Sequence, residues 1–219
     1  IKYDLKILED CSQSHFAKYK DNYVGSFGQI SAYSFYPSKN LTVGGDGGIV
    51  TTNDNDLAKM IRIYRDHGRK TKYEHSYVGY NYRFNEIQAV IGLNQISLID
   101  EFTRKRIERA NYYHKKLKLN ESINIVKNTK NSISVYHLYV IRTKEREQLA
   151  KFLKSKNIST GVHYPIPMHL QPALKELYID TSLPITEKVC SEILSLPLFP
   201  SLKFDEIDYI VESINEFQS

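Results

Sequence analysis

The amino-acid sequence predicts an α/β chain that ends in a smaller α+β unit, and three observations carry that reading. Up to about residue 52 the chain reads as strand, loop, strand, loop and strand. Helical spacing then prevails to about residue 119. From residue 123 onward, strand-like runs alternate with helix-like ones. With 219 residues, 41% of them apolar, there is material for one large or two modest domains, placed at 1–119 and 120–219.

The first strand is expected at Tyr3–Asp10, where apolar residues end abruptly at the acidic pair Glu9 and Asp10. Alternation along it sends Asp10 to one face and Glu9 to the other, as a helix-side or solvent residue. Ile30–Phe35 reads as a second strand and Gly48–Thr52 as a third. Asn53 to Asp56 offer helix caps, Leu57, Met60, Ile61 and Tyr64 recur at helical spacing, and Gly68 provides a stop. Asn85 caps a longer helix running to about Leu119, with Ile87, Val90, Ile91, Ile96, Ile99 and Phe102 toward a core. In the second unit, Ser134–Ile141 and Ser159–Tyr164 read as strands. Glu145–Lys156, Thr186–Leu194 and Asp205–Phe217 read as helices.

Composition bounds the function. Thirty basic and 25 acidic residues give a net charge of +5, and the charges mix as on a solvated helix face rather than lining up as a basic stripe, so no nucleic-acid partner is expected. Cys11 and Cys190 form neither a disulfide framework nor a metal-ligand pattern. No run approaches the ~18 apolar residues of a membrane span, so no membrane partner and a reducing, cytoplasmic setting are expected.

Lys39 carries the sharpest chemical signal. It follows the second strand in Ser34-Phe35-Tyr36-Pro37-Ser38-Lys39-Asn40 and precedes the glycine cluster Gly44-Gly45-Asp46-Gly47-Gly48. Strand ends deliver side chains to the sheet edge where α/β folds bind ligands, and glycines admit bulky groups close to the backbone. An amine placed there can form a Schiff base with a carbonyl. Taken alone, Lys39 would be a solvated loop lysine and Asp10 a cap of the Ser-rich loop behind it. Taken together, an amine and a carboxylate at neighbouring strand ends suit pyridoxal 5'-phosphate: the lysine for the imine, the acid to keep the pyridine nitrogen protonated.

Glu9-Asp10-Cys11-Ser12-Gln13-Ser14-His15, Gly25-Ser26-Phe27-Gly28, Ser34 to Leu41 and Gly44 to Gly48 resemble, in order, motifs of the DegT/DnrJ/EryC1/StrS aminotransferases. The similarity continues through Gly79 to Ala89 and His163-Tyr164-Pro165-Ile166-Pro167-Met168-His169 to Leu194-Ser195-Leu196-Pro197. The resemblance implies part of a fold-type I, aspartate-aminotransferase-like large domain that binds pyridoxal phosphate, followed by the small domain. It implies transfer of an amino group, with glutamate as donor, to a keto sugar linked to a nucleotide, in amino-sugar or polysaccharide biosynthesis. On matching positions Lys39 resembles the cofactor-bonding lysine and Asp10 the partner of the pyridine nitrogen, while Gln13 lies beside the ring and Ser34 binds the phosphate. Asn81 resembles a residue that reaches the phosphate in a neighbouring subunit's site, which implies a homodimer with shared active sites. The HYPIPMH loop lies over the active site in the family, which makes His163, Tyr164 and His169 candidates for substrate contact.

The chain departs from the family pattern at Cys11, Ser12 and Ser14, where small apolar residues are usual. It also opens inside the large domain, so a fragment or a truncated gene product is expected, and a non-catalytic relative with a regulatory or assembly role is the rival reading. A sugar dehydratase of the same fold would carry histidine where this chain has Lys39. His163 and His169 lie six residues apart with no further ligand in the run, so no metal is expected.

Overall fold

The computed structural model describes residues 3, 5–117, 122–174, 176–178 and 180–217. In chain order the first elements are β1 (Leu8–Asp10), β2 (Lys18–Tyr19), β3 (Asn22–Tyr23), β4 (Ile30–Ser34), β5 (Gly48–Thr51), α1 (Asn55–Tyr64), α2 (Glu86–Ser97) and α3 (Ile99–Lys116). Then come β6 (Asn124–Ile125), β7 (Ser132–Ile133), β8 (Tyr139–Arg142), α4 (Arg146–Ser155), α5 (Pro184–Glu192), β9 (Ile193–Leu196) and α6 (Phe204–Phe217). Two compact units result: Ile1–Thr103 with Thr129–His137, and Arg104–Asn128 with Leu138–Ser219. The expected boundary at 119/120 lies outside the described residues.

In the first unit the sheet order is β1-β4-β5. β1 runs parallel to β4 with Asp10 opposite Ala32, and β5 runs antiparallel to β4 with Gly48 opposite Ser34. Parallel pairing brings the carboxyl ends of β1 and β4 to the same edge. Because side chains alternate, Asp10 and Ser34 share one face while Glu9, Ser31 and Tyr33 share the other. A second small sheet, β3-β2-β7, joins residues more than a hundred positions apart in the chain.

Capping explains where the helices of this unit begin. The Asp54 carboxylate accepts the N–H groups of Asp56 and Leu57 at 2.8 and 3.0 Å, and Asn85 accepts that of Gln88 at 2.8 Å. Gly68, at φ +67°, donates its N–H to the Ile63 carbonyl and closes the turn after α1. The single long helix expected from Asn85 is instead two, divided at Leu98. Of the six residues expected to face a core, only Ile99 is buried; α2 buries none, and Ile87 stays 77% exposed.

The second unit packs helices against the antiparallel sheet β6-β8-β9. Ile141, Leu149, Leu153, Leu194, Ile207 and Ile214 are at most 1% exposed and form its centre. Two strand expectations change here. The run Ser134–Ile141 is broken at Tyr136 (φ +44°): only Tyr139–Ile141 is strand, as part of β8 in the second unit, while β7 ends just before the run and pairs with β2 in the first. Ser159–Tyr164 contributes a single bridge, Gly161 to Ser195. The helix expected to reach Leu194 ends at Glu192, because Ile193–Leu196 is buried throughout and pairs with β8.

Candidate active site

Lys39 is half-buried in a turn that both flanks hold in place. On its amino side Phe35 donates its N–H to the Gly47 carbonyl at 2.7 Å, and Lys39 donates its own N–H to the Tyr36 carbonyl at 2.9 Å. On its carboxyl side Asn40 is 7% exposed and its side-chain amide donates to the Val135 carbonyl at 3.0 Å, with Leu41 and Val43 buried behind it. The stem of Lys39 thus leaves a fixed backbone. Gly47 belongs to the same frame: a Cβ there would lie 2.6 Å from the Phe84 ring.

Asp10 ends β1 in an exposed position and accepts the Ser12 N–H at 2.9 Å. The Ser12 hydroxyl and N–H, and after them the positive charge of Lys39, hold its carboxyl below the ordinary aspartate range. It therefore stays ionised at neutral pH. Ser34 ends β4 on the same face, and its Oγ accepts the Tyr36 N–H at 3.2 Å, which leaves the hydroxyl proton for an outside acceptor. Gln13 is exposed in the loop after β1. An amine, an ionised carboxylate and a hydroxyl with a proton to donate, gathered at one sheet edge, fit an aldehyde-bearing phosphorylated heteroaromatic cofactor.

Glu9 is not the helix-side or solvent residue expected from alternation. Its carboxylate accepts three backbone N–H groups, from Gly25 at 2.7 Å, Phe27 at 2.7 Å and Gly28 at 2.6 Å. It clamps the 25–28 loop against the face opposite Asp10. The signal was present in Gly25-Ser26-Phe27-Gly28: Gly25 takes φ +96°, and a Cβ at Gly28 would lie 2.6 Å from the Ile7 carbonyl oxygen. His15, 2% exposed, also escaped sequence reasoning; it lies beside the Tyr33 and Phe35 rings at 5.5 and 6.3 Å. Burial, with a further contribution from Lys39, pushes its imidazole below the ordinary histidine value, so it is neutral at pH 7.

Asn81 stands apart from Asp10, Ser34 and Lys39 in sequence and setting. Its segment lies along the end of α1, where Tyr80 and Tyr82 donate to the Tyr64 and Arg65 carbonyls, and its side-chain oxygen accepts the Arg83 Nε–H at 3.1 Å. His163, Tyr164 and His169 belong to the second unit. His163 Nδ1 lies 2.9 Å from Ser195 Oγ, and Tyr164 is 61% exposed. His169 is 5% exposed and its Nε2 meets Glu187 at 3.0 Å, while Glu187 also accepts the Leu183 N–H. That pair fastens the loop to α5.

The model of the DegT/DnrJ/EryC1/StrS aminotransferase family matches residues 1–215. The chain is 42% identical over 216 residues to dTDP-3-amino-3,6-dideoxy-alpha-D-galactopyranose transaminase of Aneurinibacillus thermoaerophilus, covering 99% of this chain and 59% of that relative. It is 41% identical over 219 residues to a pleiotropic regulatory protein of Geobacillus stearothermophilus, with the same coverage. The crystal structure of S. venezuelae DesV in complex with a ketimine intermediate matches with TM-score 0.94 at 34% identity, over 99% of this chain and 58% of that one. The chain therefore spans about three fifths of the length of the relatives it matches, and its α/β fold is that of the sugar aminotransferases.

Proposed function

Because the chain belongs to the DegT/DnrJ/EryC1/StrS aminotransferase family, we propose that it carries the lysine-bearing part of a pyridoxal-phosphate-dependent transaminase. The amino group passes from glutamate to a keto sugar linked to a nucleotide. The observation that carries this reading is the gathering of Lys39, Asp10 and Ser34 at one edge of the β1-β4-β5 sheet, with Lys39 close enough to add to the lowering of the Asp10 carboxyl. Relatives named for dTDP-linked, GDP-linked and UDP-linked amino sugars support the substrate class.

The cofactor, when bound, supplies an electron sink for the pair released as a C–H bond beside nitrogen breaks. The chain's own residues set the stage for that chemistry. Asp10, held ionised by Ser12, would accept a hydrogen bond from a protonated ring nitrogen. Ser34 would donate its hydroxyl proton to a phosphate oxygen, and Gln13 would lie beside the ring. Lys39 would hold the cofactor through Nζ, and as a free amine the same nitrogen would take and return a proton. Asn81 serves the site of a second copy. A homodimer is supported by α2, whose Ile87, Val90 and Leu93 are 77, 66 and 71% exposed on a helix otherwise rich in apolar side chains. A cytoplasmic setting is supported by the two free cysteines, Cys11 and Cys190.

Mixing the protein with pyridoxal phosphate, reducing with borohydride and mapping the adduct by mass spectrometry tests the site. One pyridoxyl group on Lys39, absent in Lys39→Ala, is expected; adducts scattered over surface lysines would overturn it. Turnover of keto sugar nucleotides with glutamate then tests the activity, and Lys39→Ala should abolish it. The name of the Geobacillus relative favours a second reading, a regulatory protein of the same fold. Lys39 labelling without turnover of any sugar nucleotide would select it.

A further inference from the structure

The motif Leu194-Ser195-Leu196 lies on β9, where Ser195 is 5% exposed, too buried for water to satisfy its hydroxyl freely. Among the described residues the hydroxyl meets one side chain, His163 Nδ1, at 2.9 Å. Backbone pairing sets the frame of this contact: Ser195 donates its N–H to the Gly161 carbonyl at 2.7 Å, and Gly161 donates back at 3.1 Å. Residue 161 has no room for a side chain, because a Cβ there would lie 2.6 Å from His163 Cε1. The imidazole therefore occupies the space a side chain at 161 would take, folded back over the strand pair toward Ser195. His163 is nevertheless exposed overall, and its other nitrogen, Nε2, meets no polar side chain among the described residues.

We infer that Ser195 is a positioning residue: its hydroxyl donates to Nδ1 of His163 and so fixes the neutral imidazole as the tautomer with its proton on Nε2, presented outward as a hydrogen-bond donor to a ligand oxygen. The chemistry follows from the hydroxyl. A buried O–H requires an acceptor, and a neutral imidazole has one acceptor nitrogen. Once Nδ1 is taken, the proton must sit on Nε2. An outward N–H suits an acceptor-rich ligand, the sugar hydroxyls or phosphate oxygens of a nucleotide-linked sugar. That last step rests on the proposed reading of His163 as a substrate residue, whereas the tautomer does not. His169, buried against Glu187, cannot make the same presentation without leaving its partner.

The test uses protein labelled with 15N-histidine, with the His163 resonances identified by their loss in His163→Gln. Read on the alkaline side of the ring's own titration, where only the neutral imidazole remains, wild-type His163 should show a protonated Nε2 and a bare Nδ1. Ser195→Ala should shift the tautomer ratio by about twofold to tenfold, the worth of one hydrogen bond. Ser195→Thr, which keeps the hydroxyl, should restore it, and Gly161→Ala should displace the ring and mimic Ser195→Ala. A wild-type imidazole protonated on Nδ1, or a ratio that Ser195→Ala leaves unchanged, would overturn the inference even if a variant folds poorly, because the first reading needs no variant. Titrating thymidine diphosphate and, separately, inorganic pyrophosphate then asks what Nε2 faces. A shift of the His163 Nε2 signal with either supports the oxygen ligand. No shift with an intact Nε2–H tautomer would remove the ligand contact while the positioning role stands.

Discussion

Replacing Glu9 by Gln should loosen the loop that backs the sheet opposite Asp10, and the structure sets the size of the effect. Oε1 accepts from Phe27 and Gly28, and Oε2 from Gly25. A carboxamide keeps one oxygen for the first pair but turns an NH2 group toward the Gly25 N–H, so one charge-assisted hydrogen bond is lost and two are weakened. Bonds to charged acceptors are worth about 1.5–3 kcal/mol each, which sets the local loss at about 2 kcal/mol. Native-state hydrogen exchange reads this directly: the Gly25 and Gly28 amides should exchange about 30-fold faster, while amides of α4 and α6 stay as they are. The clamp also predicts a pH dependence. Burial, the largest single influence on Glu9, pushes its carboxyl up, but the N–H groups of Gly28, Gly25 and Phe27 outweigh it and leave the value lowered. A lowered folded value means that protection is complete above the ordinary glutamate value of about 4.3 and fades as pH falls through the lowered one. Glu9→Gln should abolish that acid fading. Exchange at Gly25 and Gly28 that is unchanged by the substitution would refute the clamp.

Asn40→Ala removes the donor to the buried Val135 carbonyl. A cost of about 1–3 kcal/mol is expected, seen as a lower urea midpoint and a poorer yield of pyridoxyl-Lys39, because the turn carrying Lys39 loses its anchor; an unchanged yield would show that Asn40 does not hold that turn. Leu149→Ala empties a fully buried position of α4 and should destabilise the second unit by about 2–5 kcal/mol, measured as a lower thermal midpoint. A loss below about 1 kcal/mol there would mean the site collapses around the missing side chain.

Local signals were legible wherever one short stretch carried the whole cause. Asp54 and Asn85 cap helices because an Asx side chain reaches the next turn's N–H groups, and the 146–155 helix follows from its apolar spacing. The motif order was sufficient to place the chain in its family; Asp10 was legible as a strand-end residue and Lys39 as the lysine of the turn after a strand, while Ser34 came from the resemblance alone. What the sequence could not convey were facts that need two distant segments at once. Alternation told which face Glu9 takes but not that the 25–28 loop would turn three N–H groups toward it. The Ser134–Ile141 run reads as one strand, yet the Asn40 amide takes the Val135 carbonyl across 95 residues, and only the end of the run, from Tyr139, is strand. Apolar residues spaced along α2 marked a face but not what covers it, since burial is a property of the assembled surface. Ser195 and His163 are 32 residues apart, and only backbone pairing at Gly161 brings hydroxyl and imidazole together. Sequence by itself determined many of the local elements, the caps of α1 and α2 and the chemistry on offer. Tertiary structure alone decided which groups meet, because hydrogen bonds and close packing act over a few ångströms of space and are blind to separation along the chain.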